Sequence, residues 1–529
     1  MVGANAFPVR KDYFLSFTSA ILLILAFPNF SLHFLAWIAL VPLFTGLANK
    51  NSKQAFVLSF CTGIVFLMGV FYWINVVENF QLTDFLLLGV LLGSYFGLFG
   101  LLLNFLSQSF CLPRALTAPV LWVSMEYLRS QAGAFSLPWA FLAHSQYLNL
   151  PVIQISSITG AYGVSFLIVM INAAIADIFI VLCKGARSQG KGNRDVLTAG
   201  AVCLALLALS VVYGVWRLHE TDPGNRVRVA VIQGNIPQNL RWSPRLLNQH
   251  LEKHLNLSRE AAKAGRPALI IWPETSVTGS ITQNKALFDP LAALAQDSNA
   301  YLLIGSAERP KFTVAGDRRD GKSTNSAFLI TPEGAIAERY DKIRLFPFGE
   351  YLPYTNLPWP VRIASHWQGE AFEPGRAFVV FAMPILKFAV TICWEDIFPD
   401  LVREFVKNGA KLIVNITNEA WFGDTAAPYQ LLSMSVFRAV ENRVAIARAA
   451  NTGVSGFIDP YGRILGTVTK DNKETFVDGF LVKEIQQNEG TSFYTRYGDL
   501  FAFSQIGLCV VALVYMLVKQ GIRKLISMK

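Results

Sequence analysis

The chain has 529 residues, 53% of them hydrophobic and only 16% charged. A soluble domain carries about a quarter charged residues, so a wholly soluble protein is excluded and much of this chain belongs in lipid. The net charge of +10 does not point to a nucleic-acid partner, because most of the basic excess sits in short loops between apolar segments, where it reports membrane topology.

From the N-terminus, apolar runs near the ~20 residues needed to cross a bilayer fall at 13–29, 32–48, 55–77, 82–107, 114–130, 160–183, 197–216 and 498–518. They predict an α-helical transmembrane bundle of about eight spans. Seven lie within 1–220, and the eighth, 498–518, follows a soluble segment at 225–486. Arg10 and Lys11 precede the first run as in a secretion signal, but Phe27-Pro28-Asn29-Phe30 is no small-residue cleavage site. The run therefore reads as a retained anchor.

Arg10, Lys11, Lys50, Lys53, Arg114, Lys184, Arg194 and Lys519 all fall on one side of this threading, and the opposite short loops offer only Arg129. The positive-inside rule then puts both termini in the cytoplasm and 225–486 outside, in the periplasm of a bacterial cell with two membranes. Gly89, Gly93 and Gly97 recur at four-residue spacing, which predicts close helix packing. Glu126, Arg129 and Asp177 are charged residues near or within the spans, and no partner for Asp177 is evident in the sequence. The stretch 129–160 holds Phe135, Trp139, Phe141 and Tyr147 with almost no charge and reads as interfacial.

After residue 225 the texture changes to short β-branched and aromatic runs separated by charged, helical stretches. Strands are predicted at 227–233, 268–272, 301–305, 327–331, 388–393, 412–417, 444–449 and 456–459, with helices at 244–264, 286–298, 399–408 and 427–442. Strands alternating with helices indicate a layered α/β domain. Of the six cysteines (Cys61, Cys111, Cys183, Cys203, Cys393 and Cys509) only Cys393 belongs to this segment, which excludes a disulfide inside it.

Three pieces of chemistry occur in order. In Ile270-Ile271-Trp272-Pro273-Glu274 an apolar strand ends in a carboxylate, with Pro273 keeping the preceding residue extended. Glu274 is thereby presented as a general base. Lys342 opens Lys342-Ile343-Arg344-Leu345-Phe346-Pro347-Phe348-Gly349-Glu350, where Glu350 is placed to orient or pair with it. Taken singly, Lys342 would read as a solvated surface charge. The strand 388–392 then delivers Cys393 to a strand-to-helix transition, a nucleophile-elbow arrangement in which helix amides favour a thiolate and an oxyanion. Glu395 and Asp396 oppose thiolate formation, so a cation is required nearby, and Lys342 would supply it. All six histidines lie outside these strand-end motifs.

The segments Trp272-Pro273-Glu274, Asp341 to Glu350 and Cys393-Trp394-Glu395 resemble the nitrilase superfamily. That resemblance implies a nitrilase-like α-β-β-α sandwich and a thioester-forming cysteine. The flanking spans, Val231-Ile232-Gln233-Gly234-Asn235-Ile236-Pro237-Gln238 with Trp242, Thr417 to Asp424, and Asn451-Thr452-Gly453-Val454-Ser455 are similar to the bacterial apolipoprotein N-acyltransferase family within it. The resemblance implies a catalytic Glu274, Lys342 and Cys393, supported by Glu350 and Glu395. It implies a phospholipid acyl donor, commonly phosphatidylethanolamine, and a diacylglyceryl lipoprotein acceptor at the inner membrane. No metal or cofactor is implied, and the chain is expected to act as a monomer. Trp242, Trp394, Asn418, Trp421, Phe422 and Trp139 are candidate substrate-binding residues, with core packing the alternative for the aromatics. Two rivals share parts of this pattern. One is a membrane-tethered amidase that uses water as acceptor. The other is a transporter with an outer sensor domain, which calls for broken helices that the apolar runs barely show.

Overall fold

The computed structural model describes residues 8–78, 80–110, 112–184, 191–220, 224–243, 245–308, 323–353, 372–487 and 490–527. Cys111 and Pro244, the start of one expected helix, lie outside them. The chain divides into a helical unit, 1–75, 81–219 and 497–529, and a second unit, 220–496 with 76–80.

Among the described residues of the helical unit, five helices are long and apolar enough to cross a membrane: Ser52–Val70, Leu82–Ser107, Ala161–Cys183, Arg194–Leu218 and Leu500–Lys519. The expected count of about eight is not confirmed by length and composition. Arg10–Ala26 and Arg114–Ser130 are helices of 17 residues each, or ~25 Å at 1.5 Å per residue. The run 32–48 breaks into the 3-10 turn His33–Trp37 and the short helix Val41–Gly46, with Pro42 in its first turn. Leu182, Leu209 and Val511 stand exposed, as residues facing lipid do. Gly93 and Gly97 pack where a Cβ would lie 2.6 Å from Ile64 and 2.7 Å from Phe56, so the helices Ser52–Val70 and Leu82–Phe110 approach through the glycine stripe. Asp177 has a partner after all: its carboxylate is 2.7 Å from the Arg114 guanidinium and accepts the Arg114 backbone N–H. Glu126 accepts from the Trp122 indole and the Leu142 N–H, while Arg129 lies over the Phe141 ring.

The second unit holds two six-stranded sheets. The first contains β1 (Arg226–Gln233), β2 (Leu269–Ile271), β3 (Tyr301–Glu308), β4 (Thr324–Ile330) and β5 (Ile336–Asp341). The second contains β6 (Val380–Met383), β7 (Leu386–Ile392), β8 (Leu412–Thr417), β9 (Ala445–Ala450), β10 (Gly456–Ile458) and β11 (Ile464–Thr467). The last strand, β12 (Gly479–Gln486), returns to the first sheet, giving the orders β12-β1-β2-β3-β4-β5 and β11-β10-β9-β8-β7-β6.

The helices Leu247–Gly265 and Lys285–Ser298 cover the first sheet. Leu251, Leu255, Leu291 and Leu294 pack there on Ile232, Ile270, Trp272, Ile304 and Phe328. The helices Pro399–Lys407 and Ala427–Asn442 cover the second sheet, which meets the first through β1 with β9 and β4 with β7. This is the expected α-β-β-α sandwich. All eight expected strands form, within a few residues at their ends. The four that were not expected, β5, β6, β11 and β12, are the four sheet edges.

Candidate active site

In parallel sheets, chemistry collects beyond the carboxyl ends of the strands. Here β1–β2–β3 and β7–β8–β9 run parallel, so β2, β7, β8 and β9 end just before Glu274, Cys393, Asn418 and Asn451. Antiparallel β5 adds Lys342 immediately after Asp341.

Glu274 sits in a turn whose next residue, Thr275, has φ +44°. That turn lies directly on β3 at Gly305, where a Cβ would come within 2.5 Å of the Thr275 nitrogen and 2.8 Å of the Glu274 Cα. Glu274 is buried, and both its oxygens are held: Oε1 by Asn325 Nδ2 at 2.7 Å and Oε2 by the Asn418 N–H at 2.9 Å. Lys342 Nζ lies 3.6 Å from Oε1. Lys342 is only 1% exposed and is paired more closely with Glu350, at 2.8 Å and 2.9 Å from its two oxygens. Glu350 in turn accepts from Asn325 Nδ2 and from the Phe346 N–H. One amide group therefore bridges both carboxylates.

Cys393 is partly exposed and has φ +61°. A non-glycine residue held in the left-handed region is strained in the way elbow residues are. Its carbonyl accepts from Asn415 Nδ2 on β8. The residues after it do not run straight into the helix; they form a 3-10 turn, Cys393–Ile397.

The two acids of that turn are engaged away from the thiol. Glu395, fully buried, accepts from the Tyr340 hydroxyl and from the N–H groups of Ile343, Arg344 and Ile392, while burial pushes its pKa up to about 7. Asp396 pairs with Arg448 at 2.8 Å.

Electrostatics couple the three side chains. Burial and then Glu274 raise the Cys393 thiol above its ordinary value, and Lys342 and the Trp394 N–H offset only part of this. Burial pulls the Lys342 ammonium down, but Glu350, the Cys393 thiolate and Glu274 together carry it above the ordinary lysine value. Lys342 therefore stays charged, and the thiol stays protonated until a base takes its proton. The arrangement suits covalent acyl chemistry in which ionisation of Cys393 is coupled to protonation of Glu274.

Of the remaining candidates, Asn418 joins the site through its backbone, while its side chain bonds Gln238 and Asn451. Trp242 is 53% exposed and Trp421 40%. Trp394 is packed between Phe346 and Phe398 and donates to the Arg344 carbonyl. Phe422 is buried, and Trp139 belongs to the helical unit, its ring 5.1 Å from that of Trp73 and tilted 35° to it. The sequence reading missed Asn325, Asn415, Arg241 and Gly305. Only Gly305, a glycine inside an apolar strand, carried a signal, that of close backbone approach. Among the described residues no group of three or more His, Cys, Asp or Glu could hold a metal ion.

Two family models match the chain: carbon-nitrogen hydrolase over residues 228–493, and apolipoprotein N-acyltransferase N-terminal domain over 19–174. The chain is 38% identical to the apolipoprotein N-acyltransferase of Geobacter metallireducens, covering 97% of this chain and 96% of that protein. It is 29% identical to that of Chlorobaculum tepidum, over 97% and 98%. Among solved structures, an amidase from Nesterenkonia sp. matches 52% of this chain and 94% of its own at 21% identity and a TM-score of 0.38. A Saccharomyces cerevisiae member of branch 10 of the nitrilase superfamily matches 49% and 90% at 19% identity and 0.37.

Proposed function

The chain belongs to the apolipoprotein N-acyltransferase family, and from that premise we propose how its strand-end cluster transfers an acyl group from a phospholipid to the N-terminal amine of a diacylglyceryl lipoprotein. Glu274 takes the Cys393 thiol proton as sulfur attacks the ester carbonyl of the donor, phosphatidylethanolamine being the candidate. Lys342 stabilises the tetrahedral oxyanion. The intermediate collapses with loss of the lysophospholipid alkoxide, which receives the proton from Glu274, and the enzyme is left as a Cys393 thioester. The lipoprotein amine then attacks the thioester carbonyl and gives its proton to Glu274. An amide forms, and the thiolate leaves and is reprotonated. Glu350 and Asn325 keep Lys342 and Glu274 aligned, and Glu395 holds the turn behind the thiol. Exposed Trp242 and Trp421 are the candidate acyl-chain contacts.

The observation that carries this reading is the buried Lys342 ammonium, 3.6 Å from a Glu274 carboxylate whose two oxygens are both held, electrostatically coupled to a partly exposed cysteine at φ +61°. The proposal includes a monomer in the inner membrane, with the α/β unit, 225–486, in the periplasm and both termini cytoplasmic. Protease added to intact spheroplasts should cut that unit; its full protection would reverse the orientation.

The deciding experiment is intact-mass spectrometry of the purified chain incubated with phosphatidylethanolamine. The wild type should gain one hydroxylamine-labile acyl group, absent from Cys393→Ala and discharged by a diacylated lipopeptide. Discharge by water alone would instead identify a hydrolase. An adduct that persists in Cys393→Ala would remove the nucleophile.

A further inference from the structure

The site holds two carboxylates, Glu274 and Glu350, against one ammonium, Lys342, and Lys342 lies closer to Glu350. Ionising the thiol, with its proton taken by Glu274, moves one of these negative charges onto Cys393 and still leaves two against one ammonium. A second cation reaches the turn that carries Glu274. The four-residue helix Gln238–Arg241 follows β1 and turns its last residue inward. Arg241 is 5% exposed, whereas Trp242 beside it is 53% exposed. The Arg241 Nη2 donates to the backbone carbonyl of Glu274, in the same turn that Gly305 allows to lie on β3.

We propose that Arg241 is a positioning residue of this enzyme: its guanidinium pins the turn that carries Glu274 and supplies the second positive charge that the thiol site needs. This rests on the Glu274, Lys342 and Cys393 reading given above.

Two arguments carry it. The first is the cost of the side chain. A buried guanidinium is expensive unless it is paired, yet among the described residues Arg241 makes no ion pair with a carboxylate, and its hydrogen bond goes to a neutral carbonyl. Its compensation is the field of the site itself: burial pulls its pKa down to about 10, and Glu274 and Cys393 are the groups that hold it up.

The second argument is its surroundings. Arg241 lines a small pocket with Ile236, His250, His254, Glu274, Ser276 and others. Burial holds His254 down to about 4 and also lowers His250, with Arg241 and Lys253 acting on both in the same direction. Both imidazoles are therefore neutral at pH 7, and Arg241 is the cation among the residues lining this pocket. A planar fork also fits a carbonyl and an adjacent anion together, as an ammonium does not.

The test uses the full-length enzyme with phosphatidylethanolamine and lipopeptide, comparing Arg241→Gln and Arg241→Lys with wild type. Two quantities are read: kcat against KM, and the pH profile of Cys393 alkylation by iodoacetamide, followed on the Cys393 peptide. Removing a nearby positive charge disfavours the thiolate, so in Arg241→Gln the alkylation profile should move up by about one pH unit. Its kcat should fall about 30-fold or more with KM little changed. Arg241→Lys keeps the charge and loses the fork, so its alkylation profile should stay near wild type while kcat falls about 3- to 10-fold.

An unshifted profile in Arg241→Gln, with only the unfolding temperature lowered, would make Arg241 structural and overturn the proposal. So would a raised KM at normal kcat, which would mean a lipid contact. Cys393→Ala run alongside separates the two readings. If it retains turnover, the thiol mechanism itself fails; if it is inactive while Arg241→Gln behaves as wild type, only the role of Arg241 does.

Discussion

The α/β unit contains two buried clusters of nearly the same composition, each with two carboxylates and one cation. In the first, Glu274 and Lys342 lie at strand ends, with Glu350 paired to Lys342, beside a partly exposed thiol, and all four carboxylate oxygens have partners. In the second, Asp396 of the 3-10 turn Cys393–Ile397 is buried with Arg448 and Glu419. Arg448 bonds both acids, and among the described residues one oxygen of each, Asp396 Oδ1 and Glu419 Oε2, has no hydrogen-bond partner. Burial raises both acids, Glu419 to about 7. The difference is that fully satisfied charges can be held ready for reaction at little further cost, whereas the sealed cluster has a shortage of donors that a proton relieves. The first arrangement is suited to chemistry and the second to holding the turn.

The comparison is broken most strongly by neutralising one member of each cluster. Glu274→Gln should cut turnover by about 10³-fold or more, roughly 4 kcal/mol in the barrier, and leave the unfolding temperature in detergent within a few degrees. Because Glu274 raises the thiol, the same variant should alkylate faster at Cys393 at a given pH, an outcome opposite in sign to that of Arg241→Gln. Arg448→Met strands two carboxylates that are fully buried and should destabilise the fold by about 3–5 kcal/mol, read by thermal unfolding. If Arg448→Met unfolds like wild type, the two clusters do not differ in the way described.

pH sharpens the same contrast. Glu419 has a folded pKa of about 7 against an ordinary 4.5, so between these values the folded state keeps a proton that the unfolded chain gives up. Its contribution to stability is therefore greatest at or below pH 4.5, falls as pH rises to about 7 and is flat above, for a total of up to about 3 kcal/mol. Glu419→Gln should lack this slope, matching wild type near pH 5 and gaining on it by pH 8. Identical pH dependence in the two proteins would show that Glu419 ionises normally.

The smallest effect is steric. Gly305→Ala places a methyl group 2.5 Å from the Thr275 nitrogen. Overpacking of this kind costs about 1–3 kcal/mol, and shifting the Glu274 turn should lower kcat by up to about 100-fold. An unaffected kcat would mean that the turn has room to move.

Legibility in the sequence followed burial. The interior strands are runs such as Leu412–Thr417, buried throughout, and they stand out as apolar stretches. The edge strand Ile336–Asp341 is half charged and largely exposed, so it shows no such run, and the same holds in milder form for β11 and β12. In the helical unit, composition located the apolar segments but not how Pro42 and a short turn divide the run 32–48. Nor could it show that Asp177 is matched by Arg114, 63 residues away. At the site, Glu274, Lys342, Glu350 and Cys393 were legible because each ends or follows a strand within an ordered set of motifs. Asn325 and Arg241 were not, since an asparagine in a strand or an arginine before an exposed tryptophan has no local pattern that marks it.

By itself the sequence determined that the chain has a lipid-compatible part and an α/β part and the family to which it belongs, and it named the residues proposed here for acyl transfer. These follow from local composition, periodicity and motif order, which one stretch of chain can express alone. Only the tertiary structure decided which amide bridges the two carboxylates, which buried cation bonds the Glu274 carbonyl, and which partners the acids after the thiol take. Those are properties of side chains brought together from distant strands, where burial and electrostatics depend on every neighbour at once.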